Sequence, residues 1–350
     1  MAETRARYCT VEILYDMQEV GLSSRCEQLN YTDCDQGRSD EISLTFCDKN
    51  ADYLMLGLGG WVPEKGHDLD VTIWFHNWNF AGDLQRYHCG NFTLDDITYS
   101  GSPSHTCVIK GVSIPAESSF QSSPKSKTWE KVTLKQVAEE KMTPYDLTNY
   151  FYWADEPIIE KVEQSNEPDS SFMYKLCQQQ GLFLKIYKKD YVIFDKKFYE
   201  PRPPKFTFGE SDMENWTWNS TLAGTYTGER VSYTDPNKAK DKGAKASIQV
   251  LVGTEERLLE INQTASDEAE ARRLAISKVN EANEKAVTVS FKVMDTRQQS
   301  TTLLWATENF AIEGMGRCDG KYYTSSVTHT VTGSGGHSMT VTGYKIFDRL

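Results

Sequence analysis

Gly90-Asn91-Phe92 leads into the strand-like run Ile97-Thr98-Tyr99, then Gly101-Ser102, His105-Thr106 and Gly111-Val112-Ser113-Ile114. Far along the chain, Gly320-Lys321-Tyr322 leads into Val327-Thr328-His329, then Gly333-Ser334, His337-Ser338 and Gly343-Tyr344-Lys345-Ile346. Both stretches read glycine, aromatic, strand, turn, histidine, strand, glycine, strand. The second is longer by about two residues, absorbed in the turn before the Gly-Ser pair. One β-module therefore occurs twice in one polypeptide. That pattern suits a chain supplying two equivalent walls to a ring better than a chain built around one active site.

Working outward from the first copy, residues 11–15, 41–46 and 69–75 read as strands, and residues 90–99 with 105–114 as a hairpin. The run 41–46 alternates apolar and polar with period two, as a half-buried strand does. Residues 33–40 are polar and read as a loop. Five or more strands at this spacing suit a small closed barrel or sandwich. Residues 113–128, rich in Ser and Pro, read as a linker. Beyond it, residues 133–142 form an amphipathic helix capped by Thr133, with Gln136 three positions on. A second helix begins near Asp169, buries Phe172, Met173, Leu176 and Cys177, and stops at Gly181. Residues 182–187 and 191–195 make a hairpin. Pro201-Arg202-Pro203-Pro204 marks a boundary. After it, residues 220–234, 247–252, 287–293 and 311–315 read as strands. Residues 264–284 read as a helix capped by Ser266, with Ala265, Ala269, Leu274, Ile276 and Val279 as a weak apolar stripe. The expected fold class is α+β, mainly β: β-domains over 1–118 and 205–350 flank an α+β insert over 119–204.

The 350 residues suffice for two or three domains, each with its own core. Net charge is −12, which argues against phosphate-backbone binding and so against a specific nucleic-acid partner. The Lys-containing stretches 185–197 and 238–245 read as strand edge and solvated loop. No run of about eighteen apolar residues occurs, so no membrane span is expected. The N-terminus has no signal-peptide core, so synthesis in a cytosol and eight reduced cysteines without C-x-x-C pairs are expected.

Several segments occur together in order: Trp61-Val62-Pro63-Glu64-Lys65-Gly66, Cys89-Gly90-Asn91-Phe92, Ser126-Lys127-Thr128-Trp129-Glu130 and Glu163-Gln164-Ser165-Asn166-Glu167. They are followed by Val231-Ser232-Tyr233-Thr234-Asp235-Pro236, Glu268-Ala269-Glu270-Ala271 and Asp319-Gly320-Lys321-Tyr322. In this order they resemble the late control D family, the baseplate hub proteins of contractile phage tails. The same family serves phage-tail-like bacteriocins and contractile injection systems. The resemblance implies two tube-type β-barrel domains per chain and a homotrimer whose six barrels form a pseudo-sixfold ring. The implied partners are a trimeric spike protein, a hexameric tail tube or tube-initiator protein, baseplate wedge components and, in the lumen, a tape-measure protein. It implies a structural protein made in a bacterial cytoplasm and incorporated into a tail or tail-like particle. The sequence stops at Leu350, just after the second copy, so neither a fused spike nor a peptidoglycan-binding module is expected.

Each candidate site also has a plainer role. His67, His76, His88 and Cys89 are zinc-type ligands, but their spacing fits no compact signature. His105 and His337 occupy matching places in the two copies. They are either ring contacts or pH sensors, or simply histidines that start a strand after a turn. Asp95/Asp96 and Asp155/Glu156 are the carboxylate pairs that acid/base chemistry would use. The first pair cannot converge without a bulge, because neighbours in a strand face opposite ways. Trp153, Trp216 and Trp218 suit sugar stacking, or else core or subunit contact. No phosphate loop and no G-x-S-x-G elbow occurs. No enzyme, no catalytic residue, no metal and no cofactor is expected; the alternative is a cell-wall-degrading enzyme or glycan-binding module of the same particle. The acidic charge reads equally as a non-adhesive lumen or as a generic soluble surface.

Overall fold

The computed structural model describes residues 6–35, 39–48, 63–101, 104–113, 119–145, 147–153, 156–187, 190–234, 247–262, 268–294 and 303–350. Six strands make the first barrel: β1 (Tyr8–Tyr15), β2 (Cys26–Cys34), β3 (Glu41–Cys47), β4 (Asp68–His76), β5 (Leu84–Ser100) and β6 (Thr106–Val112). They pair antiparallel in the order β1-β4-β5-β6-β3-β2. Alternation decides which face is buried. Ile42, Leu44 and Phe46 of β3 enter a core shared with Ile13, Ile73, Phe75 and Ile109, while Glu41, Ser43 and Thr45 stay outside it.

The insert contains α1 (Ser119–Ser122), β7 (Lys125–Val132), α2 (Leu134–Met142), β8 (Thr148–Tyr152), β9 (Ile159–Glu167), α3 (Asp169–Gln179), β10 (Phe183–Tyr187) and β11 (Asp190–Phe194). β7 and β9 form a ribbon, and β10-β11-β8 a small sheet in which β8 runs parallel to β11. The expected cap is present. The Gln136 amide donates to Thr133 Oγ1 at 3.3 Å, and the Thr133 amide donates to Gln136 Oε1 at 3.0 Å. Leu134, Val137, Ala138 and Met142 then face a core with Phe172, Met173 and Leu176. The linker expected over 113–128 is corrected in part. Phe120 of α1 is buried and β7 starts at Lys125; residues 114–118 lie outside the described residues.

The second barrel has β12 (Phe206–Phe208) and β13 (Glu214–Ser220), then a side sheet of β14 (Gly228–Thr234), β15 (Ser247–Gly253) and β16 (Leu258–Asn262) covered by α4 (Glu268–Asn283). It resumes with β17 (Val287–Met294), β18 (Asn309–Ile312), β19 (Gly320–Thr332) and β20 (His337–Lys345). Residues expected to be barrel strands at 228–234 and 247–252 thus belong to a separate three-stranded sheet. The buried face of α4 is Ala271, Leu274, Ala275 and Val279. Of the expected stripe, Leu274 and Val279 are buried and Ile276 is half-buried against the same core, whereas Ala269 is exposed; Ala265 lies outside the described residues. The face is set by which residues meet Val231 and Val250 of the side sheet, a tertiary choice that weak apolar periodicity cannot make. The cap expected at Ser266 lies outside the described residues.

The two module copies agree in register. In β5–β6, Leu94 faces Gly111 and Asp96 faces Lys110, so a bulge at Asp95 separates the pairs. In β19–β20, Thr324 faces Gly343 and Ser326 faces Thr342, with the bulge at Ser325. Beyond it, Ile97 faces Ile109 as Val327 faces Val341. Gly90 and Gly320 hold φ of 134° and 146°, which a side chain rarely adopts. Two residues are added at the second hairpin's tip, where Val331 also pairs with His337.

Candidate functional site at the joint between the two barrels

The two barrels share one sheet. β2, the last strand of the first barrel, pairs antiparallel with the outer edge of β19 over Gln28–Cys34 and Ser326–Thr332. The Thr32 and Thr328 hydroxyls lie 3.1 Å apart, and Thr330 Oγ1 donates to Asn30 Oδ1 at 2.8 Å. The Asp35 amide donates to the carbonyl of the bulged Ser325 at 2.9 Å. The tip of β19–β20 reaches β1, where the Cys9 amide donates to the Gly335 carbonyl at 2.8 Å.

Beneath this ladder lies an aromatic cluster. His329 stacks parallel to Tyr31 at 6.1 Å, and Trp305 stacks on Tyr87 at 4.4 Å. His337 meets Phe75 edge-on at 5.0 Å. His329 Nδ1 lies 3.1 Å from His337 Nε2, and His329 Nε2 lies 3.1 Å from Tyr87 Oη and 3.3 Å from the Leu304 carbonyl. A carbonyl only accepts, so the contact with Leu304 places a proton on His329 Nε2. Burial, helped by the neighbouring His337, holds this imidazole well below its usual pKa.

The joint is pinned by charge. Lys185 of β10 reaches Asp33, bonds the Cys34 carbonyl at 2.7 Å and lies 3.3 Å from Asp40 Oδ1. Asp33 Oδ2 also accepts from the Ala306 amide of the second barrel at 2.8 Å, so one carboxylate ties both barrels to the insert. Burial pushes Asp40 up to about 7, against the pull of Lys185. Burial pulls the Lys185 pKa down, but Asp33 and Asp40 more than offset this and hold it above the usual lysine value, so the ammonium stays charged. Nearby, Lys196 lies 3.0 Å from Asp35 and 2.8 Å from Glu284. Arg349 bonds Glu200 at 2.6 Å and Glu284 at 2.8 Å. Residues 185–197, expected as a strand edge, bury two of their lysines, Lys185 and Lys196. Their partners lie 88 to 161 residues away in sequence, so no local pattern signals them. Within the insert, Asp169 sits among Lys125, Lys141, Gln164 and Tyr145. Burial would raise its pKa, but these four hydrogen bonds hold it down to about 2.

The other sequence candidates are scattered. His67 bonds Asp16 at 2.6 Å, His76 lies 2.9 Å from Thr10 Oγ1, and His88 lies 3.0 Å from Asp70. Cys89 is buried in the first core. Among the described residues no group of three or more His, Cys, Asp or Glu is placed to hold a metal ion. The bulge that Asp95 and Asp96 needed is present, yet Asp96 is paired with Lys110 at 3.5 Å and both are at the surface. Asp155 lies outside the described residues. Glu156 and Trp153 line a 740 Å³ cleft between the insert and α4. Trp218 Nε1 donates to Tyr322 Oη at 3.0 Å, whereas Trp216 is 40% exposed on β13. His337 is buried in the joint, and His105, its structural counterpart, is half-exposed. The sequence reading missed β2, Asp33 and Lys185; the alternation of Leu29, Tyr31 and Asp33 is the signal that would have found the strand.

No protein-family model matches the chain, and no curated protein matches it in sequence. Solved structures do. The tail protein from Neisseria meningitidis MC58 superposes with a TM-score of 0.71 at 11% identity, covering 97% of each chain. The 43 kDa tail protein of prophage MuSo2 from Shewanella oneidensis gives 0.70 at 13% identity, covering 97% of this chain and 98% of that one. The E. coli c3393 protein gives 0.55 at 10% identity, covering 99% and 78%. It is a type VI secretion component described as similar to the T4 phage tail proteins gp27 and gp5. The chain therefore has the fold of phage tail proteins.

Proposed function

We propose that this chain is the structural hub of a contractile tail or tail-like particle. Three copies, each with barrels over 1–118 and 205–350 and an insert over 119–204, form a ring of six barrels. The ring joins a trimeric spike to a hexameric tail tube or its initiator, contacts the baseplate wedges, and leaves a lumen for a tape-measure protein. The chain is made in a bacterial cytoplasm and works by surface complementarity rather than catalysis. The observation that carries this reading is the agreement of the two hairpins in register, bulge and backbone at Gly90 and Gly320, on barrels already joined edge to edge. A threefold assembly presents six like units only if each chain carries the unit twice. Native mass measurement of the protein, alone and within purified particles, tests it. Three copies per particle are expected, and a single copy there overturns the reading. A zymogram on peptidoglycan is expected to show no lytic band; a band lost on Asp95→Ala favours a cell-wall enzyme.

A further inference from the structure

The joint between the barrels uses two different surfaces, the free side of β2 and the outer edge of β19. A contact of this kind leaves each barrel with one surface unused. β2 pairs with β3, which pairs with β6; β13 pairs with β17, which pairs with β20. β13 is thus the second barrel's counterpart of β2, and the end of β5 is the first barrel's counterpart of β19. Among the described residues both are uncovered. β13 ends the sheet, and residues 96–100 of β5 pair with β6 alone.

We infer that β13 of one copy pairs antiparallel with the end of β5 of a second copy, in the register of the joint inside the chain. The inference rests on the hub reading for the closed assembly of copies. The register follows from the shared ladders. Tyr31 faces Ile42, which faces Gly111; Trp218 faces Val289, which faces Gly343. Trp218 therefore stands where Tyr31 does, Asn219 where Thr32 does and Thr217 where Asn30 does. Counting from the matching bulges, Tyr99, Thr98 and Ser100 stand where His329, Thr328 and Thr330 do. The second joint places Tyr99 opposite Trp218, Thr98 opposite Asn219 and Ser100 opposite Thr217.

The chemistry at those positions matches its template. The stacked Tyr31–His329 pair becomes Trp218–Tyr99, and the small polar pairs Thr32–Thr328 and Asn30–Thr330 become Asn219–Thr98 and Thr217–Ser100. Exposure independently points the same way. Trp216 is 40% exposed and Leu222, just past β13, is 71% exposed. Past the register shift at its start, β13 carries no charge and no Pro over Thr217–Ser220 to guard the edge. His337 is covered by the other barrel, whereas its counterpart His105 is half-exposed.

Disulfide trapping tests the register. Directly opposed cysteines fall within bridging distance, while positions slipped by two do not. Oxidation of the Thr98→Cys/Asn219→Cys protein is expected to give covalent dimers and trimers. The Thr98→Cys/Thr217→Cys protein and each single variant, which share the eight native thiols, are expected to stay uncrosslinked. Native mass of the same samples separates two failures. Trimers without the crosslink, or with equal crosslinking in the slipped pair, overturn this joint and leave the hub reading standing. A protein monomeric both in solution and in the particle overturns both.

Discussion

The β5–β6 and β19–β20 hairpins share register, bulge and glycine positions but live in different surroundings. The outer edge of β19 is sealed by β2, and its tip is held by Cys9 and Phe75. The outer edge at the end of β5 is bare among the described residues. Equivalent positions have diverged accordingly. The sealed copy carries His329 in a buried hydrogen-bond network where the bare copy carries the half-exposed Tyr99. The difference shows that a repeated unit retains its backbone while its edge chemistry adapts to what covers it.

The sharpest way to break the contrast is to remove the charge under the sealed edge. Lys185→Met leaves Asp33 and Asp40 buried without their cation and is expected to cost about 3–5 kcal/mol, measured by denaturant unfolding. Paired glycine substitutions come next. A Cβ at Gly320 would meet Lys345 Cε at 2.6 Å, and both Gly90 and Gly320 sit at positive φ. Gly90→Ala and Gly320→Ala are each expected to cost about 1–3 kcal/mol. A cost at only one site would show that the copies are not equivalent in backbone demand.

The third test uses pH. His329 has a depressed pKa in the fold, so below about pH 6.5 the unfolded state takes a proton that the buried ring refuses. Its stabilising contribution is present above that pH and is lost as pH falls, by up to about 1.4 kcal/mol per pH unit. Asp40, whose raised pKa gives the opposite slope over this window, is common to both proteins, so the wild-type minus His329→Phe difference in unfolding free energy, followed from pH 7.5 to 5, is expected to show the His329 slope. The smallest effect is at the ladder itself. Thr328→Ala loses the bond to Thr32 and is expected to cost about 1 kcal/mol. Thr98→Ala on the bare edge is expected to change monomer stability by less than about 0.5 kcal/mol.

Much of this architecture was legible in the residues. The repeated module, the mainly β character and the Thr133 cap are local patterns, and local patterns survive folding. The joint was not legible. β2 reads Cys-Glu-Gln-Leu-Asn-Tyr-Thr-Asp-Cys, too polar to stand out, because one of its faces carries Asn30 and Thr32 for the partner strand. Asp33 looks like a loop residue until Lys185 and the Ala306 amide arrive from distant segments. Ala269 was misplaced on the buried face of α4 for a related reason. The helix's alanines are indistinguishable by hydropathy, and the side sheet buries Ala271 and Ala275 but not Ala269.

The pairing of β2 with β19 has a consequence for how the molecule is made. Thr32 and Thr328 are 296 positions apart. At roughly 5–20 residues per second a ribosome takes on the order of 15–60 s to cover that interval. Throughout it, the nascent chain holds out a strand whose neighbour has not yet been translated. The amides and hydroxyls that hide β2 from a hydropathy scan are what keep that waiting surface wetted and slow to clump.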